Sequence, residues 1–295
     1  MAYSFHEMVS SAEIVGLGGP AVRPLISCKV TSPTEYVSVD DISLALSKNI
    51  LQAPYLQMMK ESVRVPDRDL TSLVRTSRGE TYNYIDAEKV SKALAAGYTI
   101  KLNQVHHWHQ RTDEQVETLA SKFPVEVKPF VFLTPAEERG VLPHRDAFHV
   151  LVIQLEGRKE WTLWNPGQES RSSYGLDVDL ENPLRELVLD PGDVMYLPQG
   201  YPHSARAVGG PSLHMTFAMG LPTPDTLIDA LLDGAAKRSA DPLPSGCGRA
   251  ELLGWAARDL LRTAAELDSE TWFATALARQ RARTTARPPR ESMPR

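Results

Sequence analysis

A mainly β fold with flanking helices and a helical C-terminal region is the architecture that this chain predicts, on three observations. Between Val125 and Ala218, short β-rich runs alternate with turn signals, the spacing of a sandwich or small barrel. Ahead of that stretch, capped segments with apolar residues at helical spacing mark helices. After Gly220 the pattern turns helical again.

The elements follow in order. Residues 1–36, with Gly16, Gly18-Gly19-Pro20 and Pro33 among short apolar runs, read as an irregular segment with one or two strands. Ser38-Val39-Asp40-Asp41 is a helix start with acidic residues at the positive end of the dipole, and Val39, Ile42, Leu44 and Leu46 follow as apolar positions. Asp86 to Ala96 reads as a second helix, with Asp86 as N-cap, Val90 and Leu94 on one face and Gly97 as the stop. Tyr98 to Asn103 reads as a strand. Thr112-Asp113-Glu114-Gln115 is a capping-box pattern that predicts a third helix, with Val116, Leu119 and Ala120 on its apolar face. The strands expected next are Val127–Thr134, Phe148–Leu155, Lys159–Trp164, Glu186–Leu189, Val194–Leu197 and Leu213–Ala218. Residues 221–278, with Leu227, Ile228, Leu231, Leu232, Leu252, Leu253, Trp255, Leu260 and Leu261, form a helical region suited to homodimerisation. Residues 279–295, rich in Arg and carrying Pro288-Pro289, are expected to be a basic disordered tail, either a solvated end or a site for acidic partners.

At 295 residues, 42% hydrophobic and 23% charged, the chain has an ordinary globular makeup and enough length for a sizeable core. Lys and Arg number 32 against 37 Asp and Glu, a formal charge of −5, which excludes the strongly basic nucleic-acid binders. No stretch approaches the ~18 continuous apolar residues of a membrane span, and Met1 to Glu7 lack the basic start of a signal peptide. A soluble, cytoplasmic protein with no membrane or specific nucleic-acid partner is expected. Cys28 and Cys247 form no Cys-x-x-Cys pair and read as reduced thiols.

The chemistry lies in Leu142-Pro143-His144-Arg145-Asp146 and Pro198-Gln199-Gly200-Tyr201-Pro202-His203. Two histidines and one carboxylate are the ligand set of a non-haem Fe(II) site with open positions. In an extended segment, residues two apart point to one face, so His144 and Asp146 can share a metal while His203 arrives from another strand. A co-substrate carboxylate in such a barrel needs a fixed cation, and strand parity selects between two. Lys159 shares its face with Trp161 and Leu163, whereas Arg158 and Glu160 fall opposite; the alternative for Lys159 is a surface lysine beside a turn. His106-His107-Trp108-His109 reads as a pocket rim or helix lead-in rather than a metal cluster, and His149 has the wrong parity to join His144 and Asp146.

Pro143 to Asp146, Val152 to Trp161, Tyr196 to His203 and Ser212 to Thr216, with Leu102-Asn103-Gln104-Val105 and Leu133-Thr134-Pro135 upstream, closely resemble the JmjC-type cupins of the ribosomal-oxygenase-like group. The resemblance covers residues 37–220. It implies a double-stranded β-helix and Fe(II)- and 2-oxoglutarate-dependent oxygenation with O2, typically hydroxylation of a peptide or protein side chain. It implies His144, Asp146 and His203 as iron ligands, Lys159 as the co-substrate lysine, and Asn103, Thr134 and His214 as further pocket residues. For His214, a hydrogen-bonded barrel histidine is the alternative.

Departures from the family pattern concern the substrate side. Arg145 stands where an aromatic is usual between the ligands, Ala147, Phe148 and His149 follow in place of acidic or polar residues, and Phe130 and Phe132 replace Asn and Tyr. Residues 221–278 suffice for the helical dimerisation region of the bacterial ribosomal oxygenases but not for their winged-helix domain. A free amino acid or natural-product intermediate is therefore an alternative substrate. A metal-binding cupin without oxygenase activity is the alternative of another class, and Lys159 discriminates against it. Demethylation is chemically adjacent and ranks lower.

Overall fold

The computed structural model describes residues 2–10, 25–30, 35–76, 79–165, 173–174, 178–238, 246 and 248–284. The chain divides into two compact units, Met1–Phe123 with Val127–Gly220, and Pro124–Glu126 with Leu221–Arg295.

The first unit opens with β1 (Ala2–Tyr3), α1 (Phe5–Ser10) and β2 (Leu25–Val30). Strand β2 places part of the nominally irregular segment inside the main sheet. Helix α2 (Val39–Ser47) starts where its signal lies: Ser38 and Asp41 form the reciprocal capping box. Its buried residues are Ile42 and Ala45, whereas Leu44, expected on the apolar face, is exposed, because a helix turns 100° per residue and Leu44 falls off the Ile42–Ala45 stripe.

Next come β3 (Leu56–Lys60), β4 (Val63–Arg64), α3 (Asp67–Leu70), β5 (Thr71–Thr76) and β6 (Gly79–Ile85), then α4 (Ala87–Ala95), capped by Asp86, and β7 (Thr99–Asn103). A short 3-10 turn, Val105–His107, leads to α5 (Gln110–Lys122). Helix α5 begins earlier than the Thr112-x-x-Gln115 pattern suggests. Its N-cap is His109, whose ring nitrogen accepts from the Thr112 amide, and Thr112 and Gln115 are buried.

Strand β8 (Glu126–Thr134), β9 (His144–Arg145) and β10 (His149–Leu163) follow. The two runs expected at Phe148–Leu155 and Lys159–Trp164 are thus one strand. Turn residues at Glu156-Gly157 suggest a break, but the structure accommodates them as irregularities in the pairing with the later strand, and Gly157 takes φ +62°. Then come β11 (Ser173–Tyr174), β12 (Arg185–Leu189), β13 (Asp193–Leu197) and β14 (His203–Gly220), which also absorbs a longer run than its expected core.

The main sheet runs β1-β2-β13-β10-β14-β8-β7-β3-β4, with β12 added to β10 and β9 to β14. The first half of β10 lies between β13 and β14, the second between β12 and β14. Long strands thereby serve both walls of a double-stranded β-helix. Val150, Val152, Trp161, Leu163, Met195 and Leu197 fill its interior.

The second unit contains α6 (Pro224–Arg238), α7 (Arg249–Glu266) and α8 (Ser269–Thr284). Helix α8 continues into the basic stretch expected to be disordered from Arg279, as far as Thr284, where its arginines have partners. Arg279 pairs with Asp233, Arg283 with Asp225 and Asp229, and Arg281 donates to the Val125 carbonyl. The remainder of that stretch, 285–295, lies outside the described residues, as does Cys247. Among the described residues, no helix is long and apolar enough to cross a membrane.

Candidate metal centre

His144 sits on β9, Asp146 just beyond it and His203 at the start of β14, where His203 and His144 are register partners. The segment before His203 is fastened to that of the other two. The buried Arg145 side chain, on the opposite face from its neighbours, donates to the Gly200 carbonyl at 2.9 Å, and the Gly200 amide donates to the Asp146 carbonyl at 2.8 Å. Arg145, between His144 and Asp146, thus turns away from the centre and ties down the loop that carries His203.

Each imidazole engages a backbone carbonyl through Nδ1, His144 with Leu142 at 2.8 Å and His203 with Tyr201 at 2.9 Å. That contact turns Nε2 inward. The two Nε2 atoms stand 3.7 and 3.6 Å from the Asp146 carboxylate oxygens, too far for hydrogen bonds. One ligand atom from each residue lies within 4.8 Å of the others, the only such His/Cys/Asp/Glu group among the described residues. Burial, reinforced by His203, pushes the His144 pKa down to about 4, so its ring is neutral at physiological pH. Neutral imidazole and a carboxylate suit a divalent transition metal, and the partly exposed Asp146 leaves one side of the centre open.

The centre lines a cavity of about 410 Å³. Lys159, 2% exposed, points into it, and its Nζ lies 2.9 Å from Thr134 Oγ1 and 3.0 Å from His214 Nδ1. Burial pushes the Lys159 pKa down to about 7 and that of His214 well below its ordinary value. His214 stacks on Phe132 at 4.8 Å, and the indole of Trp161 lies between His203 and His214, 5.7 and 5.6 Å from each. Trp161 Nε1 is buried without an acceptor among the described residues. A donor left unmet beside a lysine fits an oxygen-bearing ligand.

Arg158, by contrast, points outward to Asp190. His149 bonds Tyr196, and His109 caps α5. Of the sequence-expected pocket residues, Thr134 and His214 line the cavity and Asn103 does not. Asn103 lies at the end of β7, where its amide donates to the Pro54 carbonyl at 2.8 Å and its backbone to Tyr55, so it secures a loop instead. Sequence reasoning missed Gln57, Arg64, Thr99 and Lys101, which line the same cavity. Alternation in β7 carried the signal: Ile100 and Leu102 are core, so Thr99 and Lys101 face the other way.

A β-helix barrel with two histidines and a carboxylate at its mouth is the construction of a metal cupin. Within that class, residues 103–227 match the JmjC domain family. Among curated relatives, ribosomal oxygenase 2 of Rattus norvegicus is 32% identical over 124 residues, 41% of this chain and 27% of that protein. The bifunctional lysine-specific demethylase and histidyl-hydroxylase NO66 of Drosophila persimilis is 39% identical over 92 residues, 30% of this chain and 13% of that protein. The chain therefore spans about a quarter or less of the length of these relatives. Among solved structures, Escherichia coli YcfD superposes with a TM-score of 0.55 at 16% identity, covering 88% of this chain and 69% of that one. A second YcfD structure, a ribosomal oxygenase in complex with cobalt and 2-oxoglutarate, gives 0.53 at 17% identity, covering 86% and 67%. At these identities the likeness establishes the fold.

Proposed function

We propose that this chain is an Fe(II)- and 2-oxoglutarate-dependent oxygenase that hydroxylates a peptide or protein side chain. The observation that carries the reading is the convergence of His144, Asp146 and His203 in a cavity whose wall holds the buried Lys159. A metal-only cupin has no use for a desolvated lysine there. The names of the relatives, ribosomal oxygenases and a histidyl-hydroxylase, support a protein-side-chain substrate.

In this reading His144, Asp146 and His203 would hold the metal through two imidazole nitrogens and one carboxylate oxygen, leaving positions for the co-substrate and O2. Lys159 and Thr134 receive the distal carboxylate of 2-oxoglutarate, and Trp161 Nε1 offers a further donor. His214, held neutral by its burial, orients the Lys159 ammonium without competing for its charge. Iron and 2-oxoglutarate, when bound, supply the oxidising power that places one atom of O2 in a C–H bond and the other in succinate, with release of CO2. Phe130, Phe148 and Val150 wall the cavity and keep water from the reacting carbon.

Exposed Ile228, Leu232, Leu253 and Leu261 on α6 and α7 support a homodimer through these helices, checked by light scattering after size exclusion. The oxygenase test is anaerobic titration of the Fe(II)-loaded protein with 2-oxoglutarate. A visible charge-transfer band is expected in the wild type, weakened in Lys159→Ala and absent in His203→Ala. An iron-replete wild type without the band would overturn the reading.

A further inference from the structure

The cavity holds a polar wall that neither the metal centre nor Lys159 uses. Strands β3 and β7 are register partners, which sets Gln57 beside Lys101 and Met59 beside Thr99, and β8 sets Phe132 on the other side of Lys101. Lys101 Nζ lies over two ring faces, 4.5 Å from the Phe130 centroid and 5.6 Å from Phe132. Aromatic faces hold an ammonium in place without neutralising it. Among the described residues Lys101 has no hydrogen-bonded or ion-paired partner; Asp146 acts on it only through its field. Thr99, two residues before Lys101 on the same face and 1% exposed, leaves its hydroxyl without a partner among the described residues. Arg64, the remaining cation of the cavity, already pairs with Asp67 at 2.6 Å.

Charge balance then points to the missing partner, and here the argument rests on the oxygenase reading. When metal and co-substrate are bound, two positive charges on the metal and one on Lys159 balance the Asp146 carboxylate and the two carboxylates of 2-oxoglutarate. The Lys101 charge is left over, in a desolvated position where an uncompensated charge is costly. We propose that the primary substrate carries a carboxylate and that Lys101, with Thr99 beside it, receives that group and so selects acidic substrates. The carboxylate belongs either to a small free acid or to an acidic side chain of a peptide.

The test uses the whole chain loaded with Co(II) and 2-oxoglutarate, after the Fe(II) charge-transfer band has been recorded for the same preparation. Matched acid and amide probes are titrated by calorimetry. N-acetyl-glutamate and N-acetyl-aspartate are set against N-acetyl-glutamine and N-acetyl-asparagine, and pentapeptides with a central Glu or Asp against the same peptides with Gln or Asn. At least tenfold tighter binding of the acid member is expected in one arm, and the arm identifies the source of the carboxylate. Lys101→Gln should erase the difference and Lys101→Arg keep it. Acids that bind no better than their amides in the wild type, including pairs that do not bind at all, overturn the inference while leaving the oxygenase reading in place. So does a preference that survives in Lys101→Gln. Absence of the band in the wild type overturns both.

Discussion

Lys159 concentrates the electrostatics of the cavity into one titration. Its ammonium has an ordinary value of 10.5, and in the folded protein burial brings that to about 7. Between these values the unfolded chain holds more protons than the folded one, so stability rises with pH from about 7 to about 10.5, and the burial penalty is felt in full below pH 7. A carboxylate ligand reverses the preference, since it favours the ammonium. Binding 2-oxoglutarate above pH 7 therefore takes up a proton, and its Kd should rise by up to about tenfold per pH unit. Charge-transfer titrations at pH 6.5 and 8.5, with heats in buffers of different ionisation enthalpy, measure both effects, and Lys159→Met should lose them together. Residues at this scale were legible in proportion to how locally they are defined. His144, Asp146 and His203 stand in compact motifs, and the inward face of Lys159 followed from Trp161 and Leu163 beside it. Lys101 was not legible, because its surroundings are built by Gln57 and Phe132 on two other strands. Asn103 sat in a matching motif, yet its amide is occupied by Pro54, a contact that no local pattern encodes.

At the scale of elements, start signals and spacing transferred well where a cap decides the matter, as Ser38–Asp41 and Asp86 do for α2 and α4. They transferred poorly where tertiary pairing decides. Glu156-Gly157 reads as a turn between two strands, but β14 runs antiparallel to both halves and holds them as one. The geometry there is tight: a Cβ on Gly157 would lie 1.9 Å from the Pro211 carbonyl oxygen, at a φ of +62°. Gly157→Ala should cost about 3 kcal/mol or more, read as a lower midpoint in denaturant unfolding. A fall in Lys159-dependent 2-oxoglutarate affinity is expected with it, because the same stretch sets the position of that side chain.

On the scale of the whole molecule, each unit has its own polar fastening. In the second, Gln280 is 5% exposed and meets four groups: its carbonyl accepts from the Thr223 amide and the Thr226 hydroxyl, and its amide donates to Glu126 and to the Leu221 carbonyl. Gln280→Leu leaves these groups without partners in the interior and should lower stability by about 2–3 kcal/mol, seen as earlier loss of helical circular dichroism on heating. In the first unit, β10 has a consequence that reaches across the barrel. Val150 and Val152, at even positions, line the cavity in its first half, whereas Lys159 and Trp161, at odd positions, line it in the second. The irregular pairing at Glu156-Gly157 is thus a phase shift in a two-stroke rhythm, comparable to a change of reading frame. A single residue inserted between Gly157 and Arg158 would turn the arginine inward and send the lysine to solvent, inverting inside and outside for the rest of the strand although His144, Asp146 and His203 all lie outside it.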